Sequence, residues 1–251
     1  MLRRGVNNPN RARVGAFVSS FVGEAVPAKI TTNVETALRA YRKQSKWMHR
    51  ASEPEMSPRF FGGMVVPLTR NGKRNIVFAN KRPVGQNRLT PLEMEQLLAH
   101  ERTHVWYIRR QGRLGRKQSK LTDELLAGLV EIEYAKQHKI RPSADFKKQE
   151  KNRLRDAVGK IPTDAALCFA FAIHNNFPAE ERKVLFNEVA NTNFQNLGQM
   201  YNWLRAKLKA RGKLSPQIER EIEEGQKEYT ADILDRRERK KKREARRLLS
   251  R

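Results

Sequence analysis

This sequence lacks the features of several common protein classes. Its 251 residues include one cysteine, Cys168, so an internal disulfide framework is excluded and a reducing, intracellular compartment is indicated. Cys168 lies in the apolar run 165–173, which is too short to cross a bilayer and predicts a buried helix. We therefore expect Cys168 to be a core residue rather than a nucleophile. The sequence has no Gly-rich phosphate loop and no cysteine-based zinc finger.

Acidic residues are also scarce relative to basic ones. The chain has 27 Asp and Glu against 52 Lys and Arg, which gives a net charge of +25 and a pI of about 10.7. A charge of this size indicates a polyanionic partner, which could be nucleic acid, an anionic membrane surface or an acidic protein assembly. Contact with phosphates is the simplest of these interpretations, and a merely solvated basic surface is the alternative.

Much of the positive charge lies near the two ends of the chain. The first 23 residues contain no acid and carry Arg3, Arg4, Arg11 and Arg13. This composition is typical of an organellar transit peptide and equally of a basic arm, whereas no secretory apolar segment is present. At the other end, a charged helix predicted from Ser215-Pro216 runs into residues 236–247, of which nine of twelve are basic. We expect this helix to be an arm that lies against a polyanion.

The most informative motif is His100-Glu101-Arg102-Thr103-His104, which has the pattern H-E-x-x-H. Two histidines four residues apart project from one face of a helix, so their rings can bind one zinc ion. Glu101, between them, can face a water on the metal. A third ligand from another helix would leave one coordination position open, as in a catalytic rather than a structural site.

The residues around the motif predict a well-formed helix. Thr90 can cap it, Pro91 suits its first position, and Glu93 completes a capping box. We expect the helix to end near Arg110, before Gly112. Its inward stripe contains both histidines and two apolar residues, Leu97 and Ile108. This placement favours a metal site over two surface histidines or two buried histidines with ordinary hydrogen bonds.

A second helix is predicted from Thr122, its candidate N-cap, with Asp123 and Glu124 in its first turn. Glu124 is the expected third ligand, although it could be a helix-start carboxylate without a metal role. Asp123 is the competing ligand, and Glu131 could orient a histidine from outside the ligand set. One stripe carries Glu124, Gly128, Glu131 and Ala135, and its two small residues are expected to let this helix approach the first closely.

H-E-x-x-H followed by 19 residues and a glutamate resembles the gluzincin branch of the zincin metallopeptidases, of which thermolysin is a member. The resemblance covers roughly residues 60 to 138. It implies zinc bound by His100, His104 and Glu124, with Glu101 as the general base that takes a proton from the attacking water and passes it to the leaving amine. Thermolysin-like enzymes carry an aspartate four residues after the glutamate ligand, where this chain has Gly128.

The resemblance also implies an antiparallel strand before the motif helix, along the cleft. Two β-type runs, residues 63–69 and 75–79, flank Asn71-Gly72, a strong hairpin signal. The second run could add a peptide substrate by backbone pairing. A donor for the oxyanion is still required, and the candidates are Tyr107, Tyr134, His138 and His174. His49 has no metal-ligand spacing.

The predicted fold class is α+β and mostly α-helical. A zincin-like core, with a β-hairpin or small antiparallel sheet, the motif helix and the glutamate helix, is followed by a helical region and a basic C-terminal helix. Four parts are expected: a basic N-terminal arm with one helix at 33–47 (1–55), the metal domain after a linker at 52–58 (56–141), a helical domain (142–213) and a charged C-terminal arm (214–251). In the helical domain, Thr163 is expected to cap the first helix.

Three functions fit the sequence. The preferred one is a zinc metalloendopeptidase whose basic arms bind nucleic acid or a nucleoprotein assembly. The second is a non-enzymatic component of a virion or ribonucleoprotein particle that uses a zincin-like domain as a scaffold. The third is a nucleic-acid-binding protein with a zinc-stabilised core. The presence of Glu101 favours the first, because a structural zinc site needs no general base.

Overall fold

The computed structural model describes residues 9–33, 35–37, 39–40, 63–67, 75–79, 89–140, 150–151 and 153–249. The chain is mostly helical with a small sheet, as predicted. Its helices are α1 (Pro9–Val22), α2 (Pro91–Arg113), α3 (Lys120–Gln137), α4 (Pro162–Asn176), α5 (Ala179–Thr192), α6 (Leu197–Ala210) and α7 (Pro216–Leu249). The strands are β1 (Lys29–Thr31), β2 (Gly63–Pro67) and β3 (Asn75–Ala79), and a 3-10 turn spans Leu154–Ala157. No helix in these ranges combines the length and apolar character needed to span a membrane.

The sheet is mixed, with strand order β1-β3-β2. Strands β2 and β3 pair antiparallel with Val65 opposite Val77, as the hairpin signal predicted, although Asn71-Gly72 lies outside the described residues. Strand β1 pairs parallel with β3, so the expectation of a purely antiparallel sheet is wrong. The connection from β1 to β2 is long. Unlike a tight hairpin turn, it does not require β1 to pair antiparallel with the strand that follows it in the chain, so a parallel pairing of β1 with β3 is possible. Because β3 is paired on both sides and buried throughout, the expectation that it could add a peptide is also wrong.

The motif helix α2 begins as predicted. The Glu93 backbone N–H donates to Thr90 Oγ1 at 3.2 Å, and the Thr90 N–H donates to Glu93 Oε2 at 2.7 Å. A cap of this kind contributes about 1 kcal/mol. The helix extends past Gly112 and ends at Arg113, because Gly115 (φ +62°) supplies the left-handed residue that terminates it, and the Arg116 N–H then donates to the Gln111 carbonyl at 3.0 Å.

Helix α3 begins three residues before the predicted start. Ser119 is its N-cap, and the Thr122 N–H donates to Ser119 Oγ at 3.2 Å, so the prediction of Thr122 as the cap is wrong. Gly128 faces α4 rather than α2, because a Cβ there would lie 2.9 Å from Leu167 Cδ2. The expected role of Gly128 in the approach of α3 to α2 is therefore wrong too.

The predictions did not include helix α1, which belongs to the core. Val14 and Val18 are fully buried, and the Phe17 ring meets the Tyr134 ring edge-on at 5.0 Å. Of the helix predicted at 33–47, residues 35–37 and 39–40 are helical and the rest lies outside the described residues, as does the linker at 52–58. Buried side chains on both sides of the expected domain boundaries near 55 and 141 form one hydrophobic core.

Helices α4 and α7 lie where the sequence predicts them, over the apolar run 165–173 and from Pro216 onward, and α5 and α6 lie within the predicted helical domain. Helix α4 starts at Pro162 after Ile161 without a side-chain cap, so the expected Thr163 cap is wrong. Cys168 is buried in α4, where burial raises the pKa of its thiol to about 11, as fits a core residue. Helix α7 is held to the core by the buried Ile222, whereas every described side chain from Leu234 onward is exposed.

Candidate metal centre

Three predicted ligands meet between α2 and α3. His100 Nε2 and His104 Nε2 lie 3.0 Å apart, and Glu124 Oε2 lies 3.9 Å from each of them. The three side chains are 12–14% exposed, so the cluster is largely enclosed by the protein but still reaches solvent. Within the described ranges they are the one group of three or more His, Cys, Asp or Glu side chains placed to hold a metal ion.

The other nitrogen of each imidazole contacts a carboxylate. His104 Nδ1 lies 2.7 Å from Asp123 Oδ1, and His100 Nδ1 lies 2.8 Å from Glu131 Oε2. Gln96 in turn donates from Nε2 to Glu131 Oε1 at 2.9 Å. Asp123, the competing ligand in the sequence, is thus placed as the orienting partner of His104. Gln96 was not predicted, although it lies one helical turn before His100 on the same stripe.

These contacts determine what the site can accept. Each Nδ1 beside a carboxylate carries a proton, so a ring that has lost its second proton presents the Nε2 lone pair toward the other ring and toward Glu124. Three such electron-pair donors repel one another unless a proton or a metal ion lies between them. Ligands of a tetrahedral zinc, each about 2.0–2.2 Å from the metal, are separated by about 3.4 Å, and the observed 3.0 and 3.9 Å bracket this value. The donor set therefore fits zinc.

The electrostatics also favour a cation. Burial opposes the charged form of His104, but the charge and hydrogen bond of Asp123, with Glu124 and Glu101 nearby, outweigh it and raise its pKa to about 10. Burial likewise opposes charge on His100, and the contact with Glu131 still raises its pKa. Four carboxylates surround the two rings: Glu101, Asp123, Glu124 and Glu131. Negative charge is thus concentrated between α2 and α3 in a protein whose net charge is +25.

Glu101 is the most enclosed of these carboxylates, with 5% of its surface exposed. Burial raises its pKa, while the nearby histidines act in the opposite direction. Strand β2 passes directly over it, since a Cβ added to Gly63 would lie 2.7 Å from Glu101 Cδ. Only a glycine fits here without displacing the carboxylate, and the motif alone gave no signal of this contact.

The start of α3, which carries Asp123 and Glu124, is fixed by distant residues. Ser119 Oγ and Thr122 Oγ1 both donate to the Phe194 carbonyl, the latter at 3.3 Å. The Ser119 N–H donates to the Tyr107 hydroxyl at 3.2 Å, and that hydroxyl donates to Asn193. The connection between α5 and α6 therefore sets where the third ligand lies relative to the histidines.

The candidates for an oxyanion donor are all engaged elsewhere. Tyr107 belongs to the network just described, and Tyr134 donates from its hydroxyl to Glu95 Oε2 at 2.6 Å. The His138 ring packs on Tyr134, with ring centroids 4.2 Å apart. His174 Nδ1 lies 2.8 Å from Glu133 Oε1. The structure brings none of these four to the histidine pair, and His49 lies outside the described residues.

The basic residues expected to contact a polyanion have different surroundings. Arg3 and Arg4 lie outside the described residues. Arg13 donates to Glu95, a buried carboxylate, so part of its hydrogen-bonding capacity is used within the protein. In the run 236–247, Arg236 and Arg239 are exposed and pair with Asp232 and Asp235 one turn before them.

No family model, curated protein or solved structure matches this chain, so the interpretation of the site depends on its geometry.

Proposed function

We propose that this protein is a zinc-dependent metalloendopeptidase of the gluzincin type. The observation that carries the proposal is the convergence of His100 Nε2, His104 Nε2 and Glu124 Oε2, with both Nδ1 atoms held by carboxylates. Three protein ligands leave a fourth tetrahedral position for water, which is the pattern of catalytic zinc sites.

Each residue then has a defined role. His100, His104 and Glu124 hold the metal, while Asp123 and Glu131 fix the ring orientations and increase the basicity of the rings. Zinc, when bound, lowers the pKa of a coordinated water and polarises the substrate carbonyl. Glu101 accepts the proton of the attacking water and transfers it to the leaving amine. The raised pKa of Glu101 suits this transfer, because a carboxyl with a pKa nearer neutrality is both a better base and a usable acid.

The position of β2 supports a peptide substrate. In the described part of the sheet β2 is an edge strand, and it crosses beside Glu101. An extended peptide that paired with this edge would run past the general base, with its backbone hydrogen-bonded to the strand.

Measurement of bound zinc and proteolysis in wild type and Glu101→Gln tests the proposal. The amide keeps the size of the side chain but cannot accept the proton, so we expect zinc to be retained and the rate to fall by about 10²–10⁴-fold. The matched control is Glu180→Gln, which changes an exposed carboxylate on α5 and should leave both quantities unchanged. An absence of zinc binding in the wild type would refute the metal site.

A second candidate is a non-enzymatic scaffold with a structural zinc. The close approach of Gly63 to Glu101 favours this candidate, because it restricts the access of a substrate to the carboxylate. Stoichiometric zinc in wild type and Glu101→Gln, with no proteolysis by either across a broad panel of peptides and proteins, would favour the scaffold over the peptidase.

We also propose that the basic arms bind nucleic acid or a nucleoprotein assembly. The net charge of +25 and the exposed described residues of 236–247 support this. Such an arm would keep the peptidase close to its protein substrates on the polyanion.

A further inference from the structure

The end of α2, the turn that joins it to α3 and the first residue of α3 form a second concentration of positive charge, separate from the two ends of the chain. Residues 109–120 contain six basic side chains, and no acid occurs between positions 102 and 122. The six are Arg109, Arg110, Arg113, Arg116, Lys117 and Lys120. In the described part of the chain, Arg113 is the one of these with a carboxylate in ion-pair distance, that of Glu24. We call this segment the basic connection.

Two of its arginines converge on one neutral residue. Arg110 Nη2 donates to Asn191 Oδ1 at 2.7 Å, and Arg116 Nη1 donates to the Asn191 carbonyl at 3.1 Å. Asn191 lies in the last turn of α5. Arg110 is further fixed by the Trp106 ring, with its guanidinium carbon 5.4 Å from the ring centroid. The fold therefore holds two guanidinium groups near each other.

The environment of this pair differs from that of Arg205 and Arg211. Arg205 contacts Glu219 at 2.9 Å, and Arg211 contacts Glu181, so their charges are compensated within the protein. Arg110 and Arg116 instead donate to two uncharged oxygens of Asn191, its side-chain amide oxygen and its backbone carbonyl oxygen. Each guanidinium has five N–H donors. Arg110 Nε is buried without a hydrogen-bond partner, so the donors left for a ligand are the remaining Nη hydrogens of Arg110 and the remaining donors of the exposed Arg116. An oxyanion that accepts from both would offset their mutual repulsion.

We propose that the basic connection binds the phosphodiester backbone of nucleic acid, with Arg110 and Arg116 as its central contacts. Arginine forks match the geometry of phosphate oxygens, and the exposed Lys117 and Lys120 extend the surface on the same connection. A membrane surface fits less well, because Leu114 is the one apolar side chain that this connection exposes. The site goes beyond the proposed peptidase and does not depend on a bound metal.

The test measures the binding of a fluorescently labelled duplex DNA to the full chain. Fluorescence anisotropy gives the binding constant at salt concentrations between about 50 and 200 mM. In the variant Arg110→Gln/Arg116→Gln, we expect the slope of log K against log salt to become shallower by about 1.8, since each phosphate contact contributes about 0.9. The matched control is Arg205→Gln/Arg211→Gln, which removes the same charge from paired positions and should keep the wild-type slope.

Several outcomes would overturn the proposal: an unchanged slope in the Arg110/Arg116 variant, equal effects in both double variants, or wild-type binding to anionic phospholipid vesicles without binding to DNA. If the double variant fails to fold, Arg116→Gln alone keeps the Trp106 contact and should change the slope by about 0.9. Binding should be the same with and without a chelator, so a failure of the metal site and a failure of this surface are distinguishable.

Discussion

The α2–α3 site and the C-terminal half of α7 use charged residues in opposite ways. Between α2 and α3, four carboxylates lie in a half-buried cluster where each histidine nitrogen has a defined neighbour. Beyond Leu234, the described charged side chains of α7 are exposed. The pairs Asp232–Arg236 and Asp235–Arg239 join residues one turn apart in the same helix. In the α2–α3 site, the position of each charged side chain depends on contacts between different helices. In the C-terminal half of α7, the pairing of charged side chains depends only on their spacing along one helix.

This difference sets how a single substitution propagates. A side chain in the cluster is oriented by partners on another helix, so its loss changes the position of groups that it touches. A described side chain on the distal part of α7 is exposed, so its loss changes mainly the net charge. The three predictions below test this contrast in metal affinity, in stability and in pH dependence.

The largest effect should follow from removal of the carboxylates that orient the histidines. We expect Asp123→Asn or Glu131→Gln to weaken zinc binding by about 10–100-fold, because the imidazoles lose their ionised partners while the ligands remain. Isothermal titration with zinc measures this. Asp232→Asn makes the same chemical change in α7 and should leave the affinity as in the wild type; an equal loss there would contradict the contrast.

A smaller effect is expected where α7 meets α6. A Cβ at Gly225 would lie 2.5 Å from Tyr201 Cζ, so Gly225→Ala must displace the buried tyrosine or the helix. We expect the free energy of unfolding to fall by about 1–3 kcal/mol. Arg243→Gln, on the exposed part of the same helix, should change it by less than about 0.5 kcal/mol. Chemical denaturation measures the free energy of unfolding of each variant. Similar losses for the two variants would contradict the difference in packing between the two parts of α7.

The smallest effect should be a pH dependence in the metal-free protein. The folded pKa of His104, about 10, is raised above an unfolded value near 6.5, so its stabilising contribution is complete below about pH 6.5 and is lost as the pH rises toward 10. Zinc must displace this proton, so the increase in Tm on zinc addition should grow with pH. Thermal melts from about pH 6 to 10, with zinc or with a chelator, measure both trends, and a zinc effect that shrinks with pH would contradict the assignment.

The parts of the site that depend on local sequence could be predicted. The capping box at Thr90 and Glu93 and the four-residue spacing of His100 and His104 act over one helical turn, and the glutamate that follows the motif at a family-like spacing pointed to Glu124. These features gave α2, α3 and the three converging side chains. Binding of zinc and peptidase activity remain predictions from this geometry.

The parts that depend on distant residues were missed or misplaced. Ser119 rather than Thr122 caps α3 because the Phe194 carbonyl, 75 residues away, receives both hydroxyls. The parallel pairing of β1 requires a partner 47 residues later in the chain, Ile76 opposite Lys29. In α1, the charge of Arg11 and Arg13 suggested an arm, although Val14 and Val18 give it a buried face. Contact across such distances leaves no pattern in a short window of sequence.

The contact between Ser119 and Phe194 has a consequence for biosynthesis. During translation, both histidines and Glu124 leave the ribosome well before Phe194, the residue whose carbonyl fixes the start of α3. Until that residue emerges and the turn after α5 folds back, the third ligand lacks its final support. The nascent chain thus acquires its finished cluster of donors only after at least 70 residues beyond Glu124 have been made, which delays any activity of that cluster.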